Sequence, residues 1–355
     1  MRPVEAEPIL KFSQIRGQDQ PTGILRRALE SKRLPHAYLF EGPEGVGKKT
    51  CALALACAIH CRQPRNGEAC GICPACHKVA LKQHPGETDE PNYPTLGHPD
   101  LGLIEPDGQF IRIEGIRKLQ QRLTYKPFES WLKVYIIDEA ERMNPQSANC
   151  LLKTLEEPPD NSLIILVSAN PYHLLPTIRS RCQRLAFNQL SVQEIGRIVA
   201  EALNISETQS NLIARFAQGS LGQALGLDPK GVLELRETIF SWLSQGKFTP
   251  EQSLTVLARA YSKDSAQLQY LVNWLVLIFR DLLAIRHGAG ADLIDNRDRF
   301  GELAGIAAAY SRDWIQRQLA VLQEVKGQLQ RNMNPQLILE TIFVNLAGIG
   351  VRLEG

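Results

Sequence analysis

The sequence predicts an α/β domain built on a mostly parallel sheet, followed by helical structure to the end of the chain, and three observations carry that prediction. The first is the order strand, glycine loop, helix in HAYLFEGPEGVGKKTCALALACAIHC, residues 36–61. The second is WLKVYIIDEAERM, residues 131–143, an apolar strand that ends in acids. The third is a change of period. Strands alternate with helices from Leu39 to about Leu185, and from Ser191 onward the spacing is helical with no convincing strand. Strands joined through helices lie parallel and are covered on both faces.

The elements follow in order. HAYLF is a short apolar run with β-formers, and the alanine-rich stretch after the glycine loop has helical composition. Residues 82–106, dotted with proline and glycine and without periodicity, read as a surface loop. IRIEGIRKLQQRLTYKP places Ile116, Leu119 and Leu123 on one helical face. NPQSANCLLKTLEEPP is a helix begun near Pro145 and stopped by Pro158 and Pro159, and SLIILVSAN is the next strand. Ser191 and Glu194 form a capping box that opens the helical part. DSAQLQYLVNWLVLIFRDLLAIRHG is charged at its ends and short in its apolar middle, so it reads as a buried packing helix rather than a membrane span. The expected segments are 1–187 for the α/β part, 188–229 for a small helical part and 230–355 for a larger one, whose Trp242, Trp274 and Trp314 read as core.

The glycine loop matches the pattern GxxxxGK at Gly42, Gly47 and Lys48, with Gly45 between them. Glycines let backbone N–H groups wrap phosphate oxygens, and the lysine meets the phosphates. The pattern then wants Ser or Thr to ligate Mg²⁺, but Lys49 stands there and the hydroxyl comes one residue later at Thr50. One residue on a helix rotates that group by about 100°. Asp138 and Glu139 arrive at a strand's carboxyl end, where parallel sheets bind ligands. Asp138 suits Mg²⁺ held through water and Glu139 suits an attacking water; acids that merely cap the next helix are the plainer alternative. Asn170 ends the following strand, as a phosphate sensor or as an ordinary turn residue.

Four of the eight cysteines, Cys61, Cys70, Cys73 and Cys76, are spaced C-x8-C-x2-C-x2-C. Four soft thiolates select tetrahedral Zn²⁺ and leave no position open for water, so a structural ion is expected, with His60 and His77 as alternate ligands. Composition narrows the rest. Forty basic against thirty-eight acidic side chains give a formal charge of +2, which offers no strong pull toward nucleic acid or membrane. The N-terminal residues contain no apolar signal region, so a cytoplasmic protein without a membrane partner is expected.

Taken together, IRGQ near the start, the loop, the cysteine module, HPD at 98–100, LLKTLEEPP, TIRSRCQRL and NMNPQLILE resemble the delta-prime subunits of bacterial DNA polymerase III clamp loaders, members of the AAA+ superfamily. The cysteine module is shared with the gamma/tau motor subunits. The resemblance implies an AAA+ P-loop domain with a zinc insert, a helical lid and a helical collar that joins gamma/tau and delta type subunits in a hetero-pentamer. It implies that the complex loads the sliding clamp onto primed DNA. It also gives Ser180, Arg181 and Cys182 a role: the arginine of this SRC motif is a finger offered to the neighbouring subunit's ATP, whereas the residues alone read Arg181 as a solvated helix-end charge. Motor subunits resembling this chain carry Ser or Thr at position 49 and an arginine after GSL or GSM. Lys49 and Gly222 replace both, so the resemblance implies weak or no intrinsic ATPase activity and no polymerase activity. The rival readings are an active gamma/tau-like motor that uses Thr50 or water for Mg²⁺, and a zinc-dependent module that contacts DNA directly.

Overall fold

The computed structural model describes residues 10–80, 97–245 and 265–330, together with Ile338, Leu339, Ile342 and Asn345. These fall in two compact units, one within residues 1–190 plus Ser220–Gly222, the other within 191–219 and 223–355. The expected small segment 188–229 is therefore contained in the second unit apart from its short share of the first.

The first unit holds α1 (Asp19–Glu30), β1 (Ala37–Glu41), α2 (Lys48–His60), α3 (Pro74–Ala80), β2 (Leu101–Ile104), α4 (Ile113–Leu123), β3 (Lys133–Ile137), α5 (Pro145–Glu156), β4 (Ser162–Ser168), α6 (Pro176–Arg179) and β5 (Gln183–Ala186). The strands form one parallel sheet in the order β2-β3-β4-β1-β5. Side chains alternate across it as the pleat requires. Tyr38, Phe40, Val134, Ile136, Leu163 and Ile165 pack with α2, while Leu39, Tyr135, Ile137, Ile164 and Leu166 pack with α4 and α5. Both faces being covered explains why the strands read as unbroken apolar runs; each fully buried Leu or Ile contributes about 1.5–3 kcal/mol. Ile116, Leu119 and Leu123 are the buried residues of α4, on the face their spacing predicts. Pro145 opens α5, with the Asn144 side chain accepting from the Ser147 N–H.

One expectation needs correction. Residues 82–106 were expected to be loop throughout; 81–96 lie outside the described residues, and Leu101–Ile104 is a fully buried strand paired with β3. Four residues between Pro99 and Pro106 are too few to show a period.

The second unit contains α7 (Val192–Leu203), α8 (Glu207–Phe216), most of α9 (Leu221–Gly226), α10 (Pro229–Gln245), α11 (Ser265–Arg286), α12 (Phe300–Ala309) and α13 (Arg312–Gln330). The Ser191–Glu194 capping box is formed. Within α11, residues 267–286 are long and apolar enough, by length and composition, to cross a membrane, which the sequence reading denied; 61% of that window is buried inside the unit. Its Trp274 is buried and donates to the Val232 carbonyl at 2.9 Å. Beside it the buried Arg236 guanidinium lies over the Phe240 and Trp274 rings and donates to Asn296 and Asp298. Trp314 is buried as well, whereas Trp242 is half-buried.

Candidate functional site

The carboxyl ends of β1, β3 and β4 bring the candidate residues together. After Glu41 the chain turns through Gly42 at φ +147°, and a Cβ there would lie 2.2 Å from the Phe187 carbonyl oxygen, so only glycine fits. Gly45 and Gly47 also have positive φ, and Gly47 caps α2, leaving the loop's backbone to cradle the helix N-terminus. The loop is braced by Gln18, the last residue of IRGQ, which donates to the Val46 and Asn188 carbonyls and accepts from the Asn188 N–H. Gly222 is drawn against the loop too: its N–H donates to the Gly45 carbonyl at 3.0 Å, and a Cβ at that position would sit 3.3 Å from the same oxygen.

Lys48 and Lys49 open α2 and behave differently. Lys48 is buried and its ammonium donates to the Gly42 and Pro43 carbonyls at 2.6 and 2.5 Å. Burial pushes its ionisation down, against the pull of Glu141, Glu44 and Asp138. The glycine cradle suits an anion, and Lys48 would have to leave its own loop's carbonyls to meet one. Lys49 turns its ammonium onto Asp138, 2.9 Å from Oδ2, and pairs with Glu105 as well. Burial pushes Lys49 down, but these two carboxylates outweigh it and hold it above the ordinary lysine range. A divalent ion at Asp138 would meet this ammonium in the space it needs, so the residues present do not fit Mg²⁺. Thr50 follows, half-buried, one step further round the helix.

Glu139 adopts the left-handed conformation at φ +46°, and its carboxylate pairs with Arg142. The acid that faces the β4 end is instead Glu141, whose Oε1 accepts from the Ala169 and Asn170 N–H groups at 2.9 and 3.3 Å. Sequence reasoning missed Glu141 and Glu105. Glu141 lies in the same acidic run, three residues after Asp138, and that spacing is the one signal that could have found it. Beside the loop, Gly42, Pro43, Glu44, Asn170, Tyr172 and Arg184 line a groove of about 590 Å³. Arg184 is bound to Glu41 through two nitrogens, and Arg179 stacks over Tyr172.

Arg181 follows α6 and is partly exposed. Nη2 lies 2.8 Å from Glu156 Oε1, and Nη1 donates to the Thr177 carbonyl, which Ser180 Oγ also reaches. Cys182 is buried against the core beneath α5 and α6, where burial pushes its thiol up to about 12.

The sulfur atoms of Cys61, Cys70, Cys73 and Cys76 all lie within 4.8 Å of one another. Cys73 and Cys76 sulfurs are 3.5 Å apart and those of Cys70 and Cys76 4.0 Å, bracketing the separation of about 3.8 Å that four Zn–S bonds of ~2.3 Å impose on a tetrahedron. The four thiols therefore fit zinc. Burial pushes Cys73 up, but N–H groups of Arg62 and Cys76 and the neighbouring thiols outweigh it, leaving about 6. The alternate ligands are corrected: His77 is exposed, and His60 is buried with its ring stacked on His98 at 4.2 Å, so neither joins the cluster. Next to this pair the buried Asp100 accepts the N–H groups of Phe128, Glu129 and Ser130 at 2.7, 2.8 and 2.9 Å.

A parallel sheet in this strand order, with a glycine loop after β1 and an acid after β3, two strands away across β4, defines a P-loop α/β protein with a C-terminal helical part. The gamma-subunit-related protein from Thermotoga maritima has this fold, with a TM-score of 0.54 and 19% identity over 93% of this chain and 99% of that one. Models of the DNA polymerase III delta subunit match residues 17–88 and 92–191, and that of its C-terminal part matches 230–347. The chain is 30% identical to DNA polymerase III subunit delta-prime from Pseudomonas aeruginosa, over 88% of this chain and 92% of that protein. It is 29% identical to the Bacillus subtilis delta-prime subunit, over 91% and 94%. Against the Bacillus subtilis tau subunit it is 28% identical over 95% of its length and 61% of tau. The chain belongs to the delta-prime family of DNA polymerase III subunits and is a clamp-loader subunit of that holoenzyme.

Proposed function

We propose that this chain is the stator of the clamp loader, cytoplasmic and held in a hetero-pentamer with gamma/tau and delta type subunits while the complex places the sliding clamp on primed DNA. In this reading residues 1–187 are the AAA+ domain, 188–229 the lid and 230–355 the collar. Its own phosphate loop does not turn over ATP. Arg181 is lent to the ATP site of the neighbour, and Cys61, Cys70, Cys73 and Cys76 hold a structural zinc.

The observation that carries the reading is the Lys49 ammonium on Asp138, because hydrolysis in P-loop proteins needs a metal at that acid. Gly222 supports it: glycine brings backbone, not a guanidinium, to the loop. Arg181 supports the trans role in that it is partly exposed and its Glu156 partner is half-exposed, so the pair is cheaply broken.

The test is ATP turnover by the chain alone and by the complex reconstituted with its partner subunits. The isolated chain should not hydrolyse ATP. Arg181→Ala should leave assembly intact and slow both clamp loading and turnover at the site it faces, since arginine fingers are worth about 10³–10⁵ in rate. Mg²⁺-dependent turnover by the lone chain, lost in Lys48→Ala, would establish the motor reading instead.

A further inference from the structure

Glu105 and Asp138 stand at the ends of adjacent strands, one residue beyond the paired Ile104 and Ile137, and the Asp138 N–H donates to the Ile104 carbonyl at 2.9 Å. The sheet thus fixes two carboxylates side by side. Two such groups repel unless a cation lies between them, and hard oxygen ligands of this kind take a divalent metal or an ammonium. Here the cation is covalent to the chain. Lys49, second residue of α2, reaches across to both acids, and the Asp138 side chain is only 14% exposed.

We propose that Lys49 is a resident cation that takes the place of a divalent metal between Asp138 and Glu105, so that this face of the sheet is neutralised once, on folding, and stays blind to Mg²⁺. The inference deepens the reading of the loop as non-hydrolysing, and it reaches further: it says why the acids are retained without a metal to hold. They are the counter-charge that ties the N-terminus of α2 to the ends of β2 and β3. The loop therefore does not pass between metal-bound and metal-free states, and any anion that enters the cradle does so without bringing a metal.

The consequence is testable because removing the ammonium should open a metal site that the natural chain lacks. The probe is Mn²⁺, counted by electron paramagnetic resonance on the zinc-loaded full-length chain. The natural chain and Lys49→Arg should bind no Mn²⁺ that depends on Asp138. Lys49→Ala should bind one Mn²⁺ per chain, at least about tenfold more tightly than the natural chain, and lose it when Asp138→Asn is added. Mg²⁺ should raise the melting temperature of Lys49→Ala and leave that of the natural chain unchanged. Lys49→Gln, one atom shorter and uncharged but with two N–H donors, serves if the alanine variant fails to fold. Asp138-dependent Mn²⁺ binding by the natural chain would overturn the proposal, and so would folded Lys49→Ala and Lys49→Gln chains that bind none. ATP turnover by the lone chain is a separate readout, so failure of the non-hydrolysing reading is told apart from failure of this one.

Discussion

Replacing Asp100 by Asn should be among the most damaging single changes in the first unit. Its buried carboxylate receives three backbone N–H groups, from Phe128, Glu129 and Ser130, and these bonds help to hold the segment between α4 and β3. A hydrogen bond to a charged group contributes about 1.5–3 kcal/mol. Asparagine keeps one acceptor and turns an NH₂ toward the remaining donors, so at least one bond becomes donor against donor. Water reaches the exposed side of this segment, where Phe128 is 83% accessible, and offsets part of the loss. A destabilisation of about 2–4 kcal/mol follows. Denaturant unfolding should report it, and hydrogen exchange should show lost protection at residues 128–130. The pH dependence gives a second readout. Burial pushes Asp100 up, but the three N–H donors outweigh it and hold the carboxyl below the usual aspartate range. A depressed value means that the stabilisation is full above about pH 4, the unfolded value, and is lost as pH falls through the folded one. The gap between the natural chain and Asp100→Asn should therefore close in acid. A variant within about 0.5 kcal/mol of the natural chain at neutral pH, with protection unchanged, would refute the argument.

Other expectations follow from the same geometry. Gly42→Ala forces a Cβ onto the Phe187 carbonyl at a backbone angle L-residues avoid, and should cost about 3 kcal/mol or more in thermal or chemical unfolding. Gln18→Ala removes the brace on Val46 and Asn188 and should cost about 1–3 kcal/mol, with faster exchange at the loop amides. Cys73→Ser should lower zinc content well below one equivalent and reduce the melting temperature, and a chelator should do the same to the natural chain; unchanged zinc after the substitution would exclude the four-thiolate site.

Much of this architecture is written in local pattern. The glycine loop, the apolar strand before Asp138 and the helix between Pro145 and Pro158 each declare themselves within a dozen residues, because turn chemistry and hydrophobic period act at short range. The missing metal hydroxyl is equally plain at Lys49. Its partner is not: Glu105 is 56 residues away in a stretch that looks like loop, and only the pairing of β2 with β3 brings the two together. Gln18 was noticed as part of a motif, but its work as a brace depends on residue 188, on the far side of the sheet sequence. Cys182 stands in a motif in the chain, and its place in the core of the fold is not legible there, since burial is settled by which helices close over it.

Helix α5 has a consequence for assembly. Its start follows the acids after β3, where Asn144 accepts from the Ser147 N–H and Ser147 Oγ donates to the Ile111 carbonyl, and its last residue, Glu156, holds Arg181. Twelve residues of helix span about 18 Å, and Ala148, Leu151 and Leu155 seat that length in the core. The helix is a ruler. The separation of Glu156, where Arg181 rests, from the acids after β3 is set by a rod that neither stretches nor bends easily. A displacement at one end must then appear at the other as translation of the whole helix, and not be absorbed along the way.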